Sequence, residues 1–310
     1  MVLFGPSLYG PLRHVSQFHK HAAGAELNFT VGLGRLGLRC GLITRVGRDE
    51  FGQYILACMR AEGIDTALVR EEETHPTGVY FKEYRGLGDP RVYYYRRGSA
   101  ASSMSPEDID PECLNGARLI HLTGITPALS ATCRETCLAL LRLAEGLGIA
   151  VSFDPNIRLG TLHDVETARD SMMPFISRSH LLLLNEFECE LLFGSSELAA
   201  IMDEVFDAGP RIVAVKMGSR GSLAAARSDR VIHFAEPFKT PRYVDPVGAG
   251  DGFDAGFVYG YLNNLPIDGC MRAGNLVGAL ATTVTGDYEG YPFLRDVAGA
   301  VASGGSEIRR

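Results

Sequence analysis

Residues 244–257 read VDPVGAGDGFDAGF. Gly248, Ala249 and Gly250 stand directly before one carboxylate, Asp251, and a stretch with a helical pattern follows. Glycine lacks the Cβ that blocks unusual dihedrals and close approach, so consecutive backbone N–H groups can converge there. A helix that starts at this point adds its unsatisfied N-terminal N–H groups and the positive end of its dipole. Together they make an anion pocket suited to a phosphoryl group. Asp251, at its lip, is placed to accept a proton from an attacking hydroxyl. Read alone, the same residues also describe a glycine loop with Asp251 as an ordinary N-cap.

Upstream of this stretch, strand and helix patterns alternate from residue 116 onward. RLIHLTG (118–124), IAVSFDP (149–155), HLLLLNE (180–186) and RIVAVKMG (211–218) read as strands. SATCRETCLALLRLAEGLG (130–148) reads as a helix with Ser130 as N-cap and glycines as its stop. Residues 249–264 and 268–285 read as two closing helices. Alternation of this kind predicts a parallel sheet covered on both faces, with ligands at the C-terminal ends of the strands. Residues 77–97 break the rhythm: TGVYFKEYR and RVYYYRR are aromatic and β-branched, and GLGDP joins them as a hairpin. This hairpin is expected to form an added flap, either a lid over a ligand or a subunit contact.

The chain has 310 residues, enough for one large α/β domain with an appendage or for two small domains. A net charge of −7 argues against an electrostatic hold on nucleic acid or an anionic membrane. No apolar run approaches ~20 residues, so no membrane span is expected. The opening MVLFGPSLYGPLRH places its basic residues after its apolar run, unlike a signal peptide. Seven cysteines without a C-x-x-C pattern suit reduced thiols in the cytoplasm. Cys133 and Cys137, four apart, read as core thiols on one helix face.

GLGRLG at 32–37 matches G-x-G-x-x-G, but a dinucleotide fingerprint needs a strand before it and a helix after it. Here a helical pattern precedes it and LRCGLITRVG, strand-like, follows. The expectation is a glycine-rich helix packed closely on the sheet, with a turn at Gly37, and not a nicotinamide site. NEFE (185–188) sets Asn185 and Glu188 on one face of a helical turn. Both are oxygen ligands of the kind that hold Mg²⁺ through water, and they read equally as a helix cap and a surface acid. VKMGSRGS (215–222) places Lys216 after a strand and Gly218 and Gly221 in a turn, a nucleotide border or a plain β-turn. DPNIR (154–158) ends a strand, and Arg158 could grip a carboxylate with its planar fork or form a loop salt bridge. Arg96, beside Tyr94 in VYYYRRGSA, has the same two readings on the flap.

Taken in order, AGAELN, VYYYRRGSA, DPNIR, NEFE, KMGSRG and GAGDGF resemble the ribokinase-like (PfkB) sugar kinases, from about residue 8 to about residue 297. YYYRRGSAAS, HLTGITPALS and GDYEGYP carry the narrower likeness to kinases of keto-deoxy sugar acids. The resemblance implies a three-layer α/β/α sandwich with a small β-sheet lid. The lid would comprise residues 1–21 and 74–101, and a single catalytic core residues 22–73 and 102–310. It implies phosphoryl transfer from ATP, with Mg²⁺ and a possible monovalent cation, to the terminal hydroxyl of the sugar acid.

By the same resemblance Asp251 is the catalytic base and Gly248, Ala249 and Gly250 form the anion hole. Asn185, Lys216, Gly218, Gly221 and Asn275 would meet the nucleotide, together with Gly248 and Gly250, and Glu188 the Mg²⁺ through water. Gly24, Asn28, Tyr80, Tyr94, Arg96, Arg158 and Asp287 would meet the sugar acid. The chain departs from the family pattern at Ala23-Gly24, where a glycine pair is usual. Met1 falls inside the first lid strand, so the family's first core strand is expected to be missing, with ladder groups and apolar surface left open. A homo-oligomer paired through the lid, with no nucleic-acid or membrane partner, is expected. Alternatives are a kinase for a neutral sugar such as fructose or ribose, and a non-catalytic sugar-acid sensor on the same fold.

Overall fold

The sheet core is set by a run of four leucines, Leu181–Leu184, all at 0% exposure. Side chains alternate across a strand, so such a run must be covered on both faces. In the computed structural model, which describes residues 1–86, 88–157 and 165–296, Leu181 and Leu183 pack into one apolar cluster and Leu182 and Leu184 into another. The chain is a three-layer α/β/α sandwich with a separate small sheet.

In chain order, β1 (Val2–Pro6) and β2 (Phe18–Ala22) precede α1 (Ala25–Arg35), followed by β3 (Thr44–Gly47), α2 (Glu50–Ala61) and β4 (Val69–Glu72). The hairpin is β5 (Val79–Glu83) and β6 (Arg91–Tyr95). Then come β7 (Leu119–Thr123), α3 (Ala131–Leu147), β8 (Ala150–Asp154), α4 (Val165–Ile176), β9 (Leu181–Asn185), α5 (Glu186–Phe193) and α6 (Leu198–Ala208). The chain continues with β10 (Ile212–Lys216), β11 (Ser222–Ala226), β12 (His233–Ala235), α7 (Ala249–Leu262) and α8 (Ile267–Ala281). The main sheet has the order β12-β11-β10-β9-β8-β7, parallel from β7 to β10 and antiparallel at β11 and β12.

Local chemistry explains where the helices begin and end. Ser130 accepts the Cys133 N–H at 3.1 Å as N-cap of α3, and Gly148 ends it in the left-handed conformation at φ 67°. Cys133 and Cys137 both sit buried on that helix as free thiols. The G-x-G-x-x-G stretch is the end of α1 and the turn after it. A Cβ on Gly32 would lie 2.6 Å from the Ala255 Cβ, so this glycine lets α1 press onto α7.

The small sheet has the order β2-β1-β5-β6 and contains the hairpin, with Val79 opposite Tyr95 and Glu83 opposite Arg91. Residues Val2–Pro6 pair with both β2 and β5 in this sheet. β3 and β4 form a separate parallel pair. A cavity of about 1630 Å³ is lined by residues 38–46, by residues 118–122 on the β7 edge, and by the loops at the strand ends.

Candidate active site

Three parallel strands deliver an acid, an amide and a lysine to one end of the sheet. Asp154 ends β8, Asn185 ends β9 and Lys216 ends β10. All line the cavity, whose floor includes the N-terminus of α7 with Gly248, Gly250 and Asp251. Gly248 is the N-cap of α7 at φ 88°, and a Cβ there would stand 2.0 Å from the Asp287 carbonyl oxygen. Gly250 is helical and faces open space, with the Lys216 Nζ 3.9 Å from a built Cβ. The two glycines thus act differently: Gly248 permits the turn, and Gly250 leaves room over the helix end. The Ala249 N–H is already engaged with the Pro246 carbonyl at 3.1 Å, so that amide is turned away from the pocket's open donors. Ala249 does not line the cavity among the described residues.

Asp251 is buried, at 8% exposure, in the first turn of α7, where the helix dipole favours a carboxylate. Its Oδ2 accepts from Asn28 Nδ2 at 2.7 Å, and its Oδ1 from Asn156 Nδ2 at 3.2 Å. The same Asn28 Nδ2 reaches Asp287 Oδ2 at 3.2 Å, and the Tyr80 hydroxyl donates to that oxygen at 2.7 Å. Among the described residues Asn28 Oδ1 is buried with no hydrogen-bond partner. A buried acceptor without a donor is costly, and a ligand hydroxyl in the cavity would supply one. Gly24, Asn28, Tyr80, Tyr94, Arg96 and Asp287 all border the cavity. Gly24 begins α1 at φ 139°, and the preceding Ala23 is buried, so the helix start needs a glycine at the second position only. Arg96 stacks over the Tyr94 ring at 4.3 Å. Arg158 lies outside the described residues.

Along the hairpin the tyrosines differ in exposure. Tyr80 points inward at 3% exposure, but Tyr93, Tyr94 and Tyr95 are 38%, 40% and 65% exposed. Tyr94, opposite Tyr80, lines the cavity, and the strand's alternation puts Tyr93 and Tyr95 on the other face.

Asn185 and Glu188 form a reciprocal capping box on α5: Glu188 N donates to Asn185 Oδ1, and Asn185 N to Glu188 Oε2, both at 2.9 Å. Glu188 Oε1 accepts the Ile157 N–H at 2.9 Å. Glu188 is therefore a buried cap facing the cavity, not the surface acid of the plainer sequence reading. Burial, and then the neighbouring Asp154, push its carboxyl up to about 7.

Lys216 lines the cavity beside Gly218 and Gly250. Its Nζ is held by Asp154 Oδ2 at 3.0 Å and by Asp254 at 3.0 and 3.2 Å, beneath the helix end. Burial alone would lower its pKa, but Asp154, Asp254 and Glu188 outweigh that and raise it, so it stays an ammonium. Burial pushes Asp254 well above the carboxylate range, while Lys216 holds Asp154 below it against its own burial. A strand-end lysine compensating buried acids is a charge buffer for the pocket.

Gly218 and Gly221 both take positive φ, 57° and 93°, in the turn between β10 and β11, and only Gly218 touches the cavity. A Cβ on Gly221 would stand 2.1 Å from the Ala235 carbonyl oxygen. Asn275, on α8, donates to the carbonyls of Ala235 and Glu236 at 3.2 and 2.8 Å, fixing the segment after β12.

Several residues of the site carry no motif signal. Asp254 is visible only as the position three after Asp251 on the same helix face. Glu26 accepts from Thr123 and Thr126 at 2.7 and 2.6 Å and ties α1 to the end of β7. Lys82 and Tyr84 meet Asp245 across separations of 163 and 161 residues and could be joined only by the fold.

Among the described residues no group of three His, Cys, Asp or Glu side chains is placed to hold a metal ion by itself. Glu188, with both oxygens already accepting backbone N–H groups, fits contact through water and not direct ligation. No helix among the described residues is long and apolar enough to cross a membrane.

A profile of the pfkB family carbohydrate kinases matches residues 2–294. A 2-dehydro-3-deoxygluconokinase of Bacillus subtilis (strain 168) is 35% identical over 299 residues, covering 96% of this chain and 92% of its own. The crystal structure of a 2-dehydro-3-deoxygluconokinase from Thermotoga maritima has a TM-score of 0.86 at 25% identity, covering 97% of both chains. A protein of the ribokinase II type from E. coli, solved with ATP and Mg²⁺, has a TM-score of 0.88 at 25% identity, over 97% of this chain and 96% of that one.

Proposed function

The chain belongs to the pfkB family of carbohydrate kinases, and from that premise we propose that it phosphorylates the terminal hydroxyl of 2-keto-3-deoxygluconate with ATP. The observation that carries the reading is the buried network Asn28–Asp251–Asp287–Tyr80 at the foot of a cavity, with an unpartnered acceptor on Asn28. It supports a site built for a polyhydroxy ligand beside a single general base. Arg96 on the lid, with Arg158, supplies positive charge for the acid group of such a ligand.

In this reading Asp251 takes the proton from the attacking hydroxyl while Asn28 and Asn156 hold its carboxylate in place. The end of α7 stabilises the charge that develops on the transferring phosphoryl group. Lys216 keeps the carboxylates beneath it compensated, so the pocket stays receptive to an anion. Gly218 and Asn275 border the nucleotide, and Gly221 shapes the turn that carries Gly218. Mg²⁺, when bound with ATP, neutralises phosphate charge; Glu188 would meet it through water. The lid excludes water from the reacting groups.

We place the lid at residues 1–21 and 74–101 and the core in the remainder. We extend the reading to a homo-oligomer through the lid, on the strength of the exposed Tyr93 and Tyr95, and to action in the cytoplasm, on the strength of seven unpaired thiols. Size-exclusion chromatography with light scattering tests the first. Turnover in potassium against tetramethylammonium salts tests for a monovalent cation.

The deciding experiment mixes the purified protein with Mg·ATP and 2-keto-3-deoxygluconate, fructose or ribose, and follows ADP release. Release with the keto-deoxy acid alone is expected. Release with fructose or ribose instead would overturn the substrate assignment and keep the kinase. Binding of the acid without any release would make the protein a sensor.

A further inference from the structure

Lys82 is buried to 0% exposure, and it lies on the lid strand β5, not in the core. Lysine is almost never fully buried unless paired. Its Nζ donates to Asp245 Oδ2 at 2.7 Å and to the Gly286 carbonyl at 3.1 Å, and it pairs with Asp287 Oδ1 at 2.9 Å. The Tyr84 hydroxyl donates to the same Asp245 oxygen at 2.6 Å, and Tyr80 to the far oxygen of Asp287. Tyr80 and Lys82 alternate along one face of β5 and Tyr84 follows one residue past its end, so the inner face of that strand and its continuation are spent on two carboxylates.

Those carboxylates sit on the two loops that make the anion pocket. Asp245 belongs to the segment running into α7, and its Oδ1 holds the Val247 N–H at 3.0 Å. Asp287 abuts Gly248, whose missing Cβ would meet its backbone, and reaches Asp251 through Asn28. One unbroken path of polar contacts therefore runs Lys82–Asp287–Asn28–Asp251, from the lid to the general base. The atoms around the ammonium are two carboxylate oxygens and one backbone carbonyl, an all-oxygen set of the kind that hard cations take.

We propose that Lys82 is a built-in cation: a positioning residue whose ammonium occupies the place of a monovalent ion between the two anion-pocket loops, so that phosphoryl transfer proceeds without one. The proposal rests on the kinase reading for its catalytic part only. Tethering the charge to the lid couples lid position to the loop that carries Gly248 and to the carboxylate of Asp251. A free ion could hold the loops but could not report the lid.

The test compares the wild type with Lys82→Ala in potassium, ammonium, methylammonium and tetramethylammonium chloride at equal ionic strength. Thermal unfolding, which needs no substrate, is expected to be indifferent to the cation in the wild type. In Lys82→Ala the midpoint is expected to rise with ammonium, methylammonium or potassium and not with tetramethylammonium, which is too large for the hole. In ADP release the wild-type kcat is expected to be the same in all four salts. That of Lys82→Ala should fall about 10²-fold in tetramethylammonium, the order of effect a misplaced pocket gives, and recover with the small cations, while KM for ATP changes little. A folded variant whose midpoint and kcat ignore every cation would overturn the proposal. So would a wild-type kcat that climbs with potassium, an arm that decides even where the variant fails to fold. A wild type without any turnover would count against the kinase reading, while the unfolding arm would still judge the cation.

Discussion

Substituting alanine at Gly248 and at Gly250 should separate the two tasks of the glycines in one loop. At Gly248 the backbone has φ 88°, and a left-handed conformation costs an L-residue roughly 1–2 kcal/mol. The new Cβ would also stand 2.0 Å from the Asp287 carbonyl oxygen, 2.7 Å from its carbon and 3.0 Å from its Cα. These are backbone atoms, which no rotamer change can move, so an overpacking cost of about 1–3 kcal/mol is added. The sum, roughly 2–5 kcal/mol, corresponds to a Tm lowered by about 3–8 °C for a chain of this size. Gly250 is helical, and its built Cβ meets only the Lys216 Nζ at 3.9 Å. Alanine there favours the helix by up to about 1 kcal/mol, so Tm should hold or rise. The methyl nevertheless enters the space over the helix end, and kcat should fall. Thermal unfolding and ADP release, measured on both variants, check this. Gly250→Ala with unchanged kcat would refute the phosphoryl pocket, and Gly248→Ala with unchanged Tm would refute the strain argument.

Asp251→Asn keeps the size of the side chain and removes its proton affinity, so kcat should drop on the order of 10²–10⁴-fold; near-normal turnover would exclude Asp251 as the base. Glu188 has its carboxyl raised to about 7 in the fold, against 4.5 unperturbed, so its contribution to stability is full below about 4.5 and is lost as pH rises through 7. Unfolding of Glu188→Gln across that range should therefore show the wild type's advantage shrinking as pH rises, and a constant difference would contradict it. Asn275→Ala removes two hydrogen bonds that hold the Ala235 and Glu236 carbonyls, about 1–3 kcal/mol of loop stability, and should raise KM for ATP while leaving KM for the sugar acid alone. Equal changes in both would move Asn275 out of the nucleotide border.

Much of the fold was legible because its signals are local. The four-leucine strand, the Ser130 cap and the Gly148 stop depend on neighbours within a turn or a pleat. The hairpin was legible for the same reason, through its glycines and its β-branched and aromatic flanks. GAGD was legible as a pocket because helix dipole and glycine freedom need no distant partner, yet the division of labour between Gly248 and Gly250 was not. That division depends on what stands opposite each glycine: the Asp287 backbone for one and open cavity for the other.

Motif reading could not show which groups meet each residue. Lys216 lines the cavity, but its pairing with Asp154, at the end of β8, and with Asp254, on α7, is set by the fold. Tyr94 lines the cavity while Tyr93 and Tyr95 take the other face of β6, since alternate residues of a strand cannot share a face.

By itself the sequence determined the layer architecture, since periodicity, capping and glycine placement act over a few residues, and its motifs named Asp251 and the glycines before it as the proposed base and phosphoryl pocket. Tertiary structure alone decided the charge compensation around that base. Lys82 to Asp245, Asn28 to Asp251 and Asn28 to Asp287 join positions 163, 223 and 259 residues apart, and no local pattern encodes such pairings. Burial makes them obligatory: carboxylates removed from water must find a cation or a donor, and only the packed chain sets which one lies within reach.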